Sequence, residues 1–310
     1  MDQAEQGVAA ISVIIPHFNQ PDFLARCLAS LQAQGDSASG TEIIVVDNGS
    51  REMPQAIVAG FPGVRLTHEA TPGPGPARNH GASLSKGAIL AFIDADCVAA
   101  PGWLAAIRAR FAEPGAAILG GDVQILHENP ARPTAIECYE AEFAYRMEHY
   151  IRKQNFTGTG NLAVRRAIYD DVGGFAGIGV AEDRDWGQRA HAKGYSITWA
   201  SEMLAFHPAR HSFAELARKW DRHTAHDFEA MLARPFGRMR WVLRTSAMAL
   251  SPLAQVPRVL RSGRIKGGWR GHILALGVLA RIRLYRARLM VPLIFARDAG
   301  GLSGRWRDQG

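Results

Sequence analysis

Three short apolar runs, each halted by a turn residue or an acid, limit the fold of this chain more than any other feature. Ile11-Ser12-Val13-Ile14-Ile15 halts at Pro16, Ile43-Ile44-Val45-Val46 at Asp47-Asn48-Gly49, and Ile89-Leu90-Ala91-Phe92-Ile93 at Asp94. Runs this short and continuous read as strands buried on both faces, the habit of parallel sheets. Between them the apolar spacing becomes helical. Residues 21–31 set Phe23, Leu24, Cys27, Leu28 and Leu31 on one side, 76–86 opens on a proline suited to a first turn, and 101–111 carries Trp103, Leu104, Ile107 and Phe111. Strands alternating with helices predict an α/β domain with helices on both faces of the sheet. Further on, the pattern predicts helices over 133–150, 183–193 (closed by Gly194) and 212–232. Residues 155–180 read as a Gly-rich loop with a short helix near 165–171.

Ligands of such sheets bind beyond the carboxyl ends of the strands, and that is where acids collect. Asp94-Ala95-Asp96 follows the third run. Two unpaired carboxylates do not belong in an apolar core. On an extended backbone residues i and i+2 share a face, so the pair can converge on one hard cation, which would stabilise a diphosphate leaving group. Asp47, also at a strand end, can accept hydrogen bonds from a base or ribose, with Asn48-Gly49 letting the backbone come close. Gly73-Pro74-Gly75-Pro76-Ala77-Arg78 opens a helix, and its N-terminus together with Arg78 suits phosphate. Glu182 and Asp183 begin another helix, where the dipole favours anions, and one of them can act as general base. For Asp185 helix capping is the preferred role. No GK[ST] element and no GxGxxG after the first strand is present, which disfavours a P-loop or dinucleotide enzyme.

These strings, in order, resemble the family 2 glycosyltransferases. The likeness runs over about 11–210: Ser12 to Asn19 (SVIIPHFN), Glu42 to Ser50 (EIIVVDNGS), Gly73 to Ala82 (GPGPARNHGA), Ile89 to Asp96 (ILAFIDAD), Gly158 to Leu162 (GTGNL), Val172 to Phe175 (VGGF) and Glu182 to Trp186 (EDRDW). The resemblance implies the GT-A fold, a Rossmann-like mixed sheet with helices on both faces, followed here by a C-terminal helical segment. It implies inverting transfer of a sugar from a nucleotide-diphosphate donor, with UDP the family's habitual carrier, to a saccharide, lipid-linked or other hydroxyl acceptor in cell-envelope, polysaccharide or glycolipid synthesis. By the same likeness Pro16, Asn19 and Asp47 line the nucleoside pocket and Arg78 lies near the nucleotide. Asp94 meets ribose or sugar, and Asp96 holds Mn2+ or Mg2+, with Asp94 and His207 as further ligand candidates and His211 as a competitor to His207. Gly160 and Asn161 belong to a loop under the sugar. Asp183 is the base, with Glu182 the fallback. His17 and Phe18 occupy variable positions, and Trp186 stands where leucine is commoner. No QxxRW string follows Gln188, so transfer of a single sugar is expected over processive polymerisation. The alternatives are a sugar-nucleotide pyrophosphorylase or nucleotidyltransferase, disfavoured because 16–19 lacks Gly and Lys, and a non-catalytic nucleotide-sugar-binding protein.

Charge divides the chain. Of 36 Lys and Arg and 29 Asp and Glu, residues 231–310 hold 16 and 2, a net +14, leaving −7 on residues 1–230. The expected organisation is a flexible N-terminus at 1–10, a catalytic domain at 11–232 and a basic, largely helical segment at 233–310. Within 234–297 apolar blocks alternate with arginine, and none reaches the roughly 18–20 apolar residues of a spanning helix. Peripheral contact with an anionic membrane is the favoured reading; a face packed on the catalytic domain or on another subunit is the alternative, an oligomer is left open, and nucleic acid is disfavoured. Three cysteines without a CxxC argue against a disulfide framework or zinc site and for a reducing compartment. The first ten residues do not read as a secretory signal. The expected location is the cytoplasm, at most peripheral on the inner face of the cell membrane.

Overall fold

A computed structural model describes residues 10–296 and 298. The expected flexible N-terminus lies outside these residues except for Ala10, as do Arg297 and the last twelve residues of the basic segment. The chain forms two compact units, Met1–Gln124 with Tyr145–Pro208, and Ile125–Ala144 with Ala209–Gly310.

The first unit is built on a sheet. In order come β1 (Ile11–His17), α1 (Pro21–Gln32), β2 (Thr41–Asp47), α2 (Gln55–Ala59), β3 (Val64–His68), α3 (Pro74–Leu84), β4 (Ile89–Ile93), β5 (Val98–Ala99), α4 (Trp103–Ala112) and β6 (Ile118–Leu126). After α5 (Ala135–Phe143), which belongs to the second unit, the first resumes with α6 (Met147–Gln154), β7 (Asn161–Arg165), α7 (Arg166–Val172), α8 (Glu182–Ala192) and β8 (Ile197–Pro208). The strand order is β3-β2-β1-β4-β7-β6-β8-β5. Strands β1 to β4 are parallel, as the three apolar runs predict, while β7 runs antiparallel to β4 and β6, and β5 antiparallel to β8. Residue alternation gives the sheet a core on each face. Val13, Ile15, Ala91 and Ile93 pack with Leu24, Leu28 and Trp103 of α1 and α4, while Ile14, Ile44, Val46, Leu90 and Phe92 pack with Ala77, Tyr169 and Trp186 of α3, α7 and α8.

The helix expected over 133–150 is two helices, broken at Ala144 (φ −82°, ψ −94°). The expected loop over 155–180 contains β7, which becomes a strand by pairing with β4. Helix α3 starts two residues before the predicted Pro76, because the prolines at 74 and 76 both suit a first turn.

The second unit is helical: α5, α9 (Phe213–Leu232), α10 (Gly237–Leu260) and α11 (Gly268–Leu293). Thr134 and Glu137 form a reciprocal capping box on α5, and Ser212 caps α9. Helix α9 packs on α10 and α11 around Phe228, Trp241 and Met290. The compact units therefore divide at Pro208 rather than at the 232/233 boundary that charge suggests, because α9 shares its core with the basic helices although its own sequence is acid-containing. No helix among the described residues is long and apolar enough to cross a membrane.

Candidate active site

A cleft of about 510 Å³ opens in the first unit beyond the carboxyl ends of β1, β2 and β4. Pro16, His17, Phe18 and Gln20 line it from the β1 end, Asn48 from the β2 end, and Asp94, Ala95 and Asp96 from the β4 end. The 72–74 loop, Arg78, Ile178 and Glu182 complete it. Its volume lies within the range of small-molecule sites.

Strand β4 stops at Ile93, and Asp94 begins a turn in which the Cys97 N–H donates to the Asp94 carbonyl at 2.9 Å. The extended geometry expected to put Asp94 and Asp96 on one face is therefore absent. Both carboxylates still reach the cleft, but with different partners. Arg78, 3% exposed on α3, donates to Asp94 Oδ1 at 2.5 Å and to Glu182 Oε1 at 3.3 Å. One buried guanidinium thus joins the β4 end to the start of α8. Gly160 lies under this pair: a Cβ there would collide with the Asp94 carboxylate, so the close approach requires glycine. Asp96 instead meets His207 of β8, Oδ2 to Nε2 at 3.2 Å. The His207 ring lies against Tyr145, 4.8 Å between centroids, and its Nδ1 is 2.6 Å from the Pro208 carbonyl. A hydrogen on Nδ1 makes that bond and leaves the Nε2 lone pair facing a carboxylate, an arrangement that calls for a proton or a cation between them. Burial works to raise the Asp96 carboxyl, but the bond and charge of His207 hold it below the usual range; His207 is raised in turn, its desolvation outweighed by Asp96 and the Pro208 carbonyl.

Helix α8 is anchored by Trp186, which is 1% exposed and donates from Nε1 to the Gly173 carbonyl at 2.9 Å. Asn79 of α3 ties down the adjoining loop, accepting from the Phe175 N–H and the Tyr169 hydroxyl, both at 2.7 Å. Glu182, which lines the cleft, and its neighbour Asp183, which is not among the lining residues, are so held at the start of α8. Burial pushes the Asp183 carboxyl up, against the Arg184 N–H, and the charge of Glu182 adds to the rise. A raised carboxylate is a stronger base. Asp185 pairs with Arg189 at 2.9 Å, one turn along.

Several expected ligands sit behind the cleft wall. Asp47, 1% exposed, is not among the lining residues: Oδ1 takes the His17 ring at 3.0 Å and Oδ2 the Ser50 N–H at 3.1 Å. The Gln20 N–H donates to His17 Nε2, so Nδ1 carries the hydrogen given to Asp47, and His17 and Phe18, the variable positions, face the cleft. Asn19 adopts φ 54° and joins the turn after β2 through its N–H to Ser50 and its side chain from the Arg51 N–H, each 2.9 Å. Asn161 is 1% exposed; its side chain donates to the carbonyls of Asp122 and Met203 and accepts from Trp103. None of the three is among the lining residues: Asp47 and Asn161 are buried, and Asn19 is exposed and held to the turn after β2. Phe18, Gln20, Pro72 and Ile178 were not legible as site residues; only the places of the first three beside the Pro16 and Gly73 motifs, and of Ile178 between Phe175 and Glu182, hinted at them. His211 lies in the second unit, where its N–H donates to Glu215.

A divalent cation fits this set on charge. The lining carries three carboxylates, Asp94, Asp96 and Glu182, against one arginine. A diphosphate would be repelled from it without a compensating cation. No group of three or more His, Cys, Asp or Glu converges among the described residues, but Mg2+-type ions are commonly held by one or two protein ligands plus phosphates and water. Asp96 and His207 supply two such donors; Asp94 is taken by Arg78.

Residues 12–177 match the family described as Glycosyl transferase family 2. The chain is 35% identical over 215 residues to the glycosyltransferase AglE of Haloferax volcanii, covering 67% of this chain and 70% of that protein. It is 28% identical over 239 residues to the validoxylamine A glucosyltransferase of Streptomyces hygroscopicus subsp. jinggangensis, covering 65% of this chain and little more than half, 56%, of that one. Among solved structures it is similar to the mannosyltransferase PcManGT from Pyrobaculum calidifontis in complex with GDP-Man and Mn2+, with a TM-score of 0.56, 17% identity and coverage of 98% and 89%. It is also similar to TarS of S. aureus in complex with UDP, with a TM-score of 0.52, 16% identity and coverage of 89% and 90%.

Proposed function

This chain belongs to glycosyl transferase family 2 and has the GT-A fold, and from that premise we propose that its cleft moves one sugar from a nucleoside-diphosphate donor to an acceptor hydroxyl, with inversion at the anomeric carbon. The carrying observation is the excess of carboxylate over arginine in the cleft, which suits a diphosphate accompanied by a metal ion. Asp96 and His207 would hold Mn2+ or Mg2+. When bound, such an ion supplies the charge that stabilises the departing diphosphate. Arg78 holds Asp94 and Glu182 in place, and its own charge favours the same leaving group. Asp183 takes the proton of the acceptor hydroxyl as its oxygen bonds to the anomeric carbon and the bond from that carbon to the diphosphate breaks. Glu182 is the fallback base, but its carboxylate is engaged by Arg78. Phe18, 57% exposed at the cleft, offers a ring face to the nucleobase. The acceptor is a saccharide or lipid-linked sugar of the cell envelope, and segment 234–297 makes the peripheral membrane contact that a lipid-linked acceptor needs.

Two measurements test this. A thermal-shift screen of UDP-, GDP-, dTDP- and CMP-sugars with Mn2+ should single out one donor by raising the melting temperature. With that donor, release of a nucleoside diphosphate is expected, and Asp96→Ala should lower it by about 10²-fold or more. Release of pyrophosphate would assign a pyrophosphorylase, and binding without turnover a nucleotide-sugar-binding protein.

A further inference from the structure

Helix α10 is apolar on two opposite sides, and only one is covered. Trp241, Thr245, Met248 and Val259 are buried, and Trp241 Nε1 donates to the Met290 carbonyl at 3.1 Å. On the other side Phe236, Met239, Leu243, Leu250, Leu253 and Leu260 recur at steps of three, four or seven, each 59–75% exposed. The steps of seven pass over Ser246 and Pro257, which are also exposed. Helices apolar all round are normally buried. A continuous stripe about 36 Å long is more than scattered surface hydrophobicity.

Charge selects what covers it. Residues 231–296 contain no Asp or Glu. Arg244 and Arg258 are tied to Asp227 and Glu142. Arg240 at one end of the stripe, and Arg261, Lys266 and Arg270 at the other, are exposed, and Trp269 beside them is 78% exposed. A second copy packed stripe to stripe would bring arginines together, with no carboxylate on α10 or α11 to answer them. An anionic bilayer answers both features, with acyl chains for the stripe and phosphates for the flanking cations. The helix lies on such a surface and does not span it, since no described helix meets the length and apolarity of a membrane span. We propose that α10 lies in the plane of an anionic membrane surface, its exposed stripe sunk to the acyl boundary and Arg240, Arg261 and Lys266 on lipid phosphates. This rests on the reading of 234–297 as the membrane-contacting segment and narrows it to one face of one helix.

The test is flotation of the full chain with phosphatidylglycerol–phosphatidylcholine vesicles at low salt. The wild type should float, and float less with phosphatidylcholine alone. Leu243→Asp with Leu250→Asp should weaken binding by about tenfold or more, with melting temperature and the donor-induced thermal shift unchanged. Arg240→Glu with Arg261→Glu should remove the preference for anionic vesicles. Ile273→Asp on α11 should bind like the wild type. If that α11 variant loses binding while the α10 leucine variant keeps it, the assignment to α10 is overturned and the broader segment reading stands. A wild-type chain that never floats overturns both. A wild-type dimer in sedimentation velocity that the leucine substitutions split, without vesicle binding, would make the stripe an interface between copies.

Discussion

The sheet-bearing unit sets a buried arginine and two carboxylates at one cleft, whereas the helical unit leaves much of its apolar surface exposed. Arg78, 3% exposed, and its two carboxylates make the first pattern. The second shows in the exposed large hydrophobic residues: twelve of the sixteen among the described residues fall within 236–295, and two of the other four, Phe18 and Ile178, line the cleft. Among the described residues the helical unit keeps one cation deep inside. Arg286, 4% exposed, stacks on Trp220 at 4.0 Å, and burial, with Arg283 adding, pushes its guanidinium down to about 10 against the pull of Asp227. The two surfaces suit different partners. A concave, charge-dense site selects a small anion with its counter-ion, while an extended apolar stripe rimmed by cations suits a surface.

If that contrast is right, chemistry and surface binding separate by mutation. Asp183→Asn should lower kcat by about 10²–10⁴-fold while vesicle flotation stays as in the wild type; loss of both together would break the contrast. The base must be unprotonated, so kcat should rise with pH through the Asp183 value, which lies above the ordinary aspartate range. Glu182→Gln removes a neighbouring negative charge and should move that acid limb to lower pH, read from a pH–rate profile. Arg78→Met leaves two carboxylates without their shared cation and should cost about 3 kcal/mol in urea unfolding, with donor-induced thermal shift lost as well. Asp227→Ala strips Arg244 and Arg286 of a common carboxylate. It should cost about 2 kcal/mol, reduced because Asp227 is partly exposed, and leave the donor-induced shift in place. The smallest effect is expected for Leu250→Ser, within about 0.5 kcal/mol of the wild type in urea unfolding, because Leu250 is 68% exposed.

Strands β1, β2 and β4 and helices α1, α4 and α8 were legible because their cores repeat along the chain itself. Strands β6 to β8 were not. Ile118–Leu126 is interrupted by Gly120 and Gly121, Asn161–Arg165 lies in a Gly-rich stretch, and Ile197–Pro208 mixes exposed and buried residues without clean alternation. Pairing across the sheet, not local pattern, makes them strands. The site divides the same way. Asp94, Asp96, Arg78, Glu182 and Asp183 were visible as chemistry-bearing types at strand and helix ends. Asn19, Asp47 and Asn161 were equally visible, but the hydrogen bonds of Asp47 and Asn161 turn inward and those of Asn19 go to the turn after β2, which no spacing reports.

What the amino-acid order determined by itself was the alternation of buried strands and helices, the collection of acids at their ends, and the basic, acid-poor stretch after 230. Periodicity and composition are local properties, so they survive without a structure. The tertiary structure alone decided that Arg78 joins Asp94 to Glu182 across 16 and 104 residues, that His207 rather than Asp94 meets Asp96, and that one face of α10 is left bare. Such partnerships form only when packing brings distant segments within about 3 Å, where hydrogen-bond geometry, not sequence separation, sets the outcome.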